Sequence, residues 1–278
     1  MDQYYVVGNP IAHSKSPLIH ARFAELTGQS MRYEHLLVEL GQFKASVSAL
    51  MARGVKGCNV TVPFKLEAFE QADVPSDWVQ LAGAANTLSF RDGQVHADNT
   101  DGLGLVRDIE VNAAQALRGL DVLLLGAGGA SAGALGPLLL AGARRIVVAN
   151  RTLAKAEELV ERHRRHRAMQ EALQRTDLQA LPMDAALPAC DVVINATAGS
   201  LAGAAVPISP SALKRGALVY DMMYGPPAAA FLQWAAEQGA RTRDGLGMLV
   251  EQAAQSFFIW RGVRPPADLV LAQMRQGL

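Results

Sequence analysis

The chain is poor in cysteine, with only Cys58 and Cys190 in 278 residues, far apart and without a CxxC pair. That excludes a disulfide scaffold and predicts a reduced, cytoplasmic protein. An excess of charge is also missing. Its 26 basic residues balance 26 acidic ones, so nothing draws it to nucleic acid or to an anionic membrane surface. The six histidines suggest no metal site: His163 and His166, in the run ERHRRHR (161–167), have a spacing that could place them on one helix face. Four arginines surround them, so the expectation is a solvated helix surface and no metal site. Asp2 and the early Gly8-Asn9-Pro10 turn argue against a signal peptide, and none is expected. Val122 to Ala143 carries no charge and is long enough to score as a membrane span. Yet it holds six glycines and Pro137, and these suit a buried strand–turn–helix better. No membrane span is predicted.

What the chain does have is glycine in one informative place. Residues 121–151 read DVLLLGAGGASAGALGPLLLAGARRIVVANR. An apolar strand ends in Gly126-Ala127-Gly128-Gly129-Ala130, a small-residue helix follows, and a second apolar strand closes the unit. This is the order of a dinucleotide-binding βαβ unit. Gly126 permits the tight turn, Gly128 lets backbone approach a pyrophosphate, and the amides at the helix start offer donors to its charge. Ser131 stands where the strict pattern has a third glycine. An NAD site usually places an acid about 20 residues on, to hold the ribose 2′-hydroxyl. Here the second strand ends in Asn150-Arg151-Thr152, with Lys155 one turn later. Two cations attract a 2′-phosphate where a carboxylate would repel it, so NADP is predicted.

The length suits two domains, and both halves alternate strand and helix. Strands are predicted at 4–7, 33–38 and 57–62, helices at 17–26, 43–51 and 65–70, and a hairpin at 86–97 around Arg91-Asp92-Gly93. The tetrapeptide Asp-Gly-Leu-Gly occurs at 101–104 and again at 244–247, marking two crossings between domains. The predicted fold is two α/β domains with an active-site cleft between them, the second a Rossmann-like, doubly wound parallel sheet. Residues 1–101 with 245–278 form the substrate-binding catalytic domain, and 102–244 the NADP domain. A long helix is predicted from Met248 to Arg261, and a polar surface elaboration over about 162–181.

Hydride transfer from an alcohol needs a group to take the hydroxyl proton and others to fix the substrate. Lys65 follows a strand in the first turn of a helix, where a cation opposes the helix dipole; the alternative is a solvated lysine. Asp101 ends Asp98-Asn99-Thr100-Asp101, as a catalytic group or as a helix N-cap. Ser14 and Ser16 precede and follow Lys15 before Pro17. Ser16 suits an N-cap, and the paired hydroxyls equally suit a substrate carboxylate.

GNPIAHSKSP (8–17), NVTVPFK (59–65), AGAANTL (82–88), DNTDG (98–102), GAGGAS (126–131), NRT (150–152), INAT (194–197), YDMMY (220–224) and DGLGMLVEQA (244–253) occur in this order. Together they resemble the NADP-dependent shikimate dehydrogenase family over nearly the whole chain. The resemblance implies reversible reduction of 3-dehydroshikimate to shikimate with NADPH, on the route to aromatic amino acids, by a cytoplasmic monomer or homodimer. It makes Lys65 and Asp101 the catalytic pair and gives the substrate carboxylate to Ser14 and Ser16. Thr61, Asn86, Tyr224 and Gln252 would contact other substrate oxygens, alongside Lys65 and Asp101; Tyr224 and Gln252 have core or surface roles as alternatives. Gly126, Ala127, Gly128, Gly129, Ala130 and Ser131 would cradle the pyrophosphate. Asn150, Arg151, Thr152 and Lys155 would hold the 2′-phosphate, with Met222 and Gly245 beside the nicotinamide. Departures from the family's pattern fall on the cofactor side, at Ala132, Ala198 and Ala229. Two other functions compete: a quinate/shikimate dehydrogenase using NAD, and a non-catalytic NADP-binding sensor. The first usually carries an acid at the end of the second strand, which is absent here. The second would be favoured by loss of the lysine or aspartate, and both are present.

Overall fold

The computed structural model describes residues 1–197 and 208–277. The chain divides into two compact units, Met1–Gly104 with Val250–Leu278, and Leu105–Leu249. In chain order the first unit holds β1 (Asp2–Gly8), α1 (Ser16–Thr27), β2 (Met31–Leu37), α2 (Phe43–Ala52), β3 (Gly57–Val60), α3 (Lys65–Glu70), the short β4 (Val74–Pro75), α4 (Asp77–Ala82), β5 (Thr87–Arg91) and β6 (Gln94–Asp98). Helix α5 (Asp101–Arg107) continues as a π-helical turn over Asp108–Asn112 into the second unit. There follow β7 (Asp121–Leu125), α6 (Gly129–Leu140), β8 (Arg145–Asn150), α7 (Leu153–Arg165), α8 (Gln170–Leu173), β9 (Asp177–Pro182), β10 (Cys190–Asn195), β11 (Leu213–Asp221), α9 (Pro226–Glu237) and β12 (Arg241–Arg243). Helix α10 (Leu246–Arg261) brings the chain back to the first unit, where α11 (Ala267–Arg275) packs.

The first sheet has the order β2-β1-β3-β5-β6-β4, with β5 antiparallel to both its neighbours and the other pairs parallel. Alternation along β1 sends Tyr5 and Val7 into a core with Phe43, Leu50, Cys58, Phe64 and Leu88, while Tyr4 and Val6 face Ile11, Tyr33 and Trp260. That period of two is what a strand covered on both faces requires. Gly57 lets Trp260 of α10 lie on the sheet. A Cβ there would stand 2.8 Å from the indole nitrogen, which donates to the Leu88 carbonyl. The hairpin forms around Asp92 (φ +51°) and Gly93 (φ +73°), the two left-handed residues that a tight two-residue turn needs.

The second sheet is wholly parallel, in the order β12-β11-β10-β7-β8-β9. Val122 to Leu125 of β7 are completely buried, as a central parallel strand covered by helices on both faces demands. The order of strands reverses between β7 and β10, the switch point where doubly wound sheets place their ligand. Among the described residues no helix is long and apolar enough to cross a membrane. The uncharged run from Val122 is divided between β7 and α6.

Two expectations are corrected. The stretch 162–181 is no surface elaboration: it finishes α7 and supplies α8 and the edge strand β9, in which Leu178 is buried. An edge strand is half solvated, and polar composition hid it. His163 is not on a solvated face either. It is fully buried on the stripe of Ala156, Leu159 and Val160, with Nδ1 bonded to the Leu159 carbonyl at 2.9 Å. Burial depresses its pKa to about 4.

Candidate active site

In the first unit the sheet itself gathers the polar residues. Val7 of β1 is level with Val60 of β3, Asn59 with Thr87 of β5, and Thr87 with Asp98 of β6. Because β5 runs antiparallel, its start lies at the same edge as the ends of β1, β3 and β6. Ser14, Thr61, Lys65, Asn86 and Asp101 all lie on the short segments that leave or enter this edge.

Lys65 is the first residue of α3 and Asp101 the first of α5. The Lys65 ammonium donates to Asp101 Oδ2 at 2.5 Å. Asn86 Nδ2 donates to the other carboxylate oxygen at 2.8 Å. The aspartate side chain is 14% exposed and the lysine 31%, enough for both to be reached by a small molecule. Asp101 therefore uses its carboxylate on Lys65 and Asn86 rather than as a helix cap. Gln252 of α10 joins the group: its Oε1 accepts from Asn86 Nδ2 and Thr100 Oγ1, each at 3.4 Å. Thr61 stands just beyond β3 with its amide on the Val7 carbonyl.

Ser14 and Ser16 do come together, 3.2 Å apart through their hydroxyls. The N-cap position of α1 belongs to Lys15, and no side chain caps the helix. Ser16 is instead the first helical residue, 7% exposed, with its amide donating to Ser14 Oγ at 3.3 Å. The capping expectation for Ser16 is thus corrected. His35 of β2 steadies the segment through a 2.9 Å bond between Nε2 and the Ser14 carbonyl.

The second unit builds its site from backbone. Gly126 has φ +101°, and a Cβ there would stand 3.2 Å from the Ala196 carbonyl, so this turn needs glycine. Gly128 caps α6, and around Gly128 and Gly129 a Cβ would meet nothing within 4 Å. Open space over the free amides of a 12-residue helix is a cradle for an anion. Ser131, in the first turn, is completely buried with its hydroxyl unpartnered among the described residues.

Asn150 ends β8 and folds back, Nδ2 donating to the Thr152 carbonyl at 2.8 Å. Thr152 is the N-cap of α7, and Arg151 and Lys155 are both exposed. The glycine cradle and the two cations fit a dinucleotide carrying a 2′-phosphate. Ala132 is buried in α6, Ala229 is exposed on α9, and Ala198 lies outside the described residues.

Gly245 has no room for a side chain, because a Cβ would collide with the Met222 carbonyl oxygen. The contact fixes the Met222 segment against the start of α10. Asp221, which sequence reasoning did not assign, holds the same segment from the other side. Fully buried, it accepts from the Met223 amide at 2.8 Å and from Asn195 Nδ2 at 2.9 Å. Both residues sit in motifs visible in the sequence, and a charged residue amid an apolar strand was the available signal. Tyr224 follows, half buried, with burial raising its phenol pKa.

Three family models match the chain: "Shikimate dehydrogenase substrate binding domain" over residues 6–88, "Shikimate / quinate 5-dehydrogenase" over 109–204, and "Shikimate 5'-dehydrogenase C-terminal domain" over 245–275. A curated relative from Acidovorax sp. (strain JS42), named Shikimate dehydrogenase (NADP(+)), is 59% identical over 277 residues, covering 100% of this chain and 97% of its own. An Ael1 enzyme from Pseudomonas putida has a solved structure with a TM-score of 0.90 at 46% identity, covering 98% of each chain. Shikimate 5-dehydrogenase from Thermus thermophilus, solved in complex with NADP(H) and shikimate, gives a TM-score of 0.84 at 29% identity, with both chains fully covered.

Proposed function

The chain belongs to the shikimate dehydrogenase family, and from that premise we propose the roles of its residues. The activity is NADP-dependent shikimate dehydrogenase, the reversible reduction of 3-dehydroshikimate to shikimate. When bound, the cofactor would supply the hydride chemistry, as the acceptor in its oxidised form NADP and as the donor in its reduced form NADPH. Gly126, Ala127, Gly128, Gly129, Ala130 and Ser131 would hold its pyrophosphate. Asn150, Arg151, Thr152 and Lys155 would hold its 2′-phosphate, and Met222 and Gly245 would lie at its nicotinamide end.

The remaining work falls to side chains of the first unit, joined by Tyr224. Ser14 and Ser16 bind the substrate carboxylate through their adjacent hydroxyls. Thr61, Asn86, Gln252 and Tyr224 orient the ring hydroxyls. Lys65 and Asp101 handle the proton. In oxidation the pair takes the proton from the reacting hydroxyl, and in reduction it gives one back. At 2.5 Å the two groups form one hydrogen-bonded unit, so the proton-handling role is assigned to the pair rather than to either residue. Asn86 satisfies the carboxylate oxygen that Lys65 does not, and this holds the plane of Asp101 in place. The Lys65–Asp101–Asn86 contact is the observation that carries these assignments. Two buried free thiols suit a reducing, cytoplasmic setting.

The test is absorbance of NADPH formed from shikimate, from quinate, and with NAD replacing NADP. Turnover confined to shikimate with NADP is expected. Comparable rates with quinate and NAD would point to the broader quinate/shikimate dehydrogenases, and no turnover with any pair would refute the catalytic reading.

A further inference from the structure

Behind the catalytic pair lies a set of buried polar groups to which the reading above gives no role. Asn59, at 7% exposure, sits on β3 beneath Asn86. Its Nδ2, with two protons, lies within hydrogen-bond distance of three acceptors, the Asn86 backbone carbonyl at 3.1 Å, Thr87 Oγ1 at 3.0 Å and Ser256 Oγ at 3.0 Å, while its Oδ1 accepts from the Tyr33 hydroxyl at 2.8 Å. Thr87, 1% exposed, donates onward to Asn86 Oδ1 at 2.9 Å.

The direction of the amide bonds is forced. A backbone carbonyl only accepts, so the Asn59 amide must turn its NH₂ toward Asn86 and Thr87. An NH₂ only donates, so Thr87 Oγ1 accepts from Asn59, and its own proton is shared between Asn86 Oδ1 at 2.9 Å and Ser256 Oγ at 2.8 Å. The Thr100 amide, also donor only, meets the same oxygen at 2.9 Å. With its oxygen held twice, the Asn86 amide must present Nδ2 to Asp101. In the flipped orientation two acceptors would face each other, and the carboxylate would lose a donor in a poorly solvated place.

We propose that Asn59 and Thr87 are positioning residues of the dehydrogenase reaction: their buried relay holds the Asn86 amide with its N–H face on Asp101, and so fixes the carboxylate that partners Lys65. The proposal rests on the assignment of Lys65 and Asp101 as the proton-handling pair. Neither Asn59 nor Thr87 touches the reacting atoms. Each acts through Asn86.

The experiment compares Thr87→Val with Thr87→Ser in the full chain, reading kcat, KM for shikimate, thermal stability and the pH profile of kcat. Valine keeps the shape and removes the hydroxyl; serine keeps the hydroxyl and removes the methyl. Thr87→Val is expected to lower kcat by about ten- to a hundredfold, the cost of a misplaced reacting group, with KM changed less than about threefold. Its low-pH limb should move to higher pH, because a carboxylate short of a donor holds its proton more tightly. Thr87→Ser should restore kcat and the limb even where its stability falls.

Wild-type kcat and limb in Thr87→Val would overturn the proposal, as would equal damage in both variants, which marks lost packing. If Thr87→Val yields no folded protein, Thr87→Ala removes the same hydroxyl without the second methyl, and an unmoved pH limb there overturns it. Lys65→Ala run in parallel keeps the two readings apart. Retained turnover in Lys65→Ala refutes the pair itself. Lost turnover in Lys65→Ala beside a wild-type Thr87→Val refutes only the relay.

Discussion

The two units prepare for their ligands by different means. In the first, Lys65, Asn86, Asp101 and Gln252 are joined by side-chain hydrogen bonds over a buried layer of Asn59, Thr87 and Ser256. In the second, the prepared surface is mainly backbone: a glycine turn with φ +101°, open helix amides, and two exposed cations. Proton transfer needs its groups held within about 0.5 Å and 10–20° of the productive geometry. A phosphate is a diffuse anion, and flexible cations follow it. On the proposed assignments, the side-chain network lies where bonds are made and broken, and the amides with solvated charge where a polyanion is held.

The sharpest way to break that comparison is Lys65→Ala. Turnover should fall by roughly 10²-fold or more, with shikimate binding, measured by calorimetry, within about tenfold of the parent. Lys65→Ala combined with Asp101→Asn should be little worse than either alone, since members of a unit are not additive. Retained turnover with weak binding would make the first unit a binding surface like the second. Next in size is Arg151→Ala. A charged hydrogen bond is worth about 1.5–3 kcal/mol, so KM for NADP should rise by about 10- to 150-fold while that for NAD stays within about twofold. Equal losses with the two cofactors would take the 2′-phosphate away from Arg151.

The smallest expected effect is on stability. His20 is fully buried, stacked 4.1 Å from the Tyr33 ring with both nitrogens unpartnered among the described residues. Burial depresses its pKa from 6.5 to about 3. The native ring stays neutral where the unfolded chain's ring takes a proton. Its contribution is thus complete above pH 6.5 and declines as pH falls from 6.5 toward 3. By pH 5 the loss is about 2 kcal/mol. His20→Phe keeps the stacking and removes the proton site, so its melting temperature should drop less than the parent's between pH 7 and pH 5. His163 in the second unit retains its own decline between 6.5 and about 4. An unchanged pH dependence in His20→Phe would show that the ring is protonated in the native state.

How far the sequence carries depends on distance along the chain. The end of α1 at Gly28 (φ +65°) and the Asp92-Gly93 turn were legible, since backbone chirality is a local matter. The glycine turn after β7 was legible for the same reason. Helix α4 was missed, although Ser76 caps it through the Val79 amide and could have been noticed. His163 was misread because its arginine neighbours in sequence are not its neighbours on the helix face. The relay behind Asp101 was not legible at all. Asn59 and Thr87 stand in visible motifs, but Ser256 reaches Asn59 across 197 positions, and nothing local announces which distant hydroxyl completes a buried bond.

The first unit is discontinuous, made of Met1–Gly104 and Val250–Leu278, whereas the second is one uninterrupted stretch. Ser256 and Trp260, which close the first unit's polar layer and cover its sheet, follow the whole of the second unit in the chain. A ribosome emitting this chain releases every strand of the nucleotide half before it releases α10. Domains fold as units during synthesis, earlier ones first. Here the continuous unit emerges whole between the two pieces of the other, so Asn59 meets its Ser256 partner only after every strand of the second unit has been made.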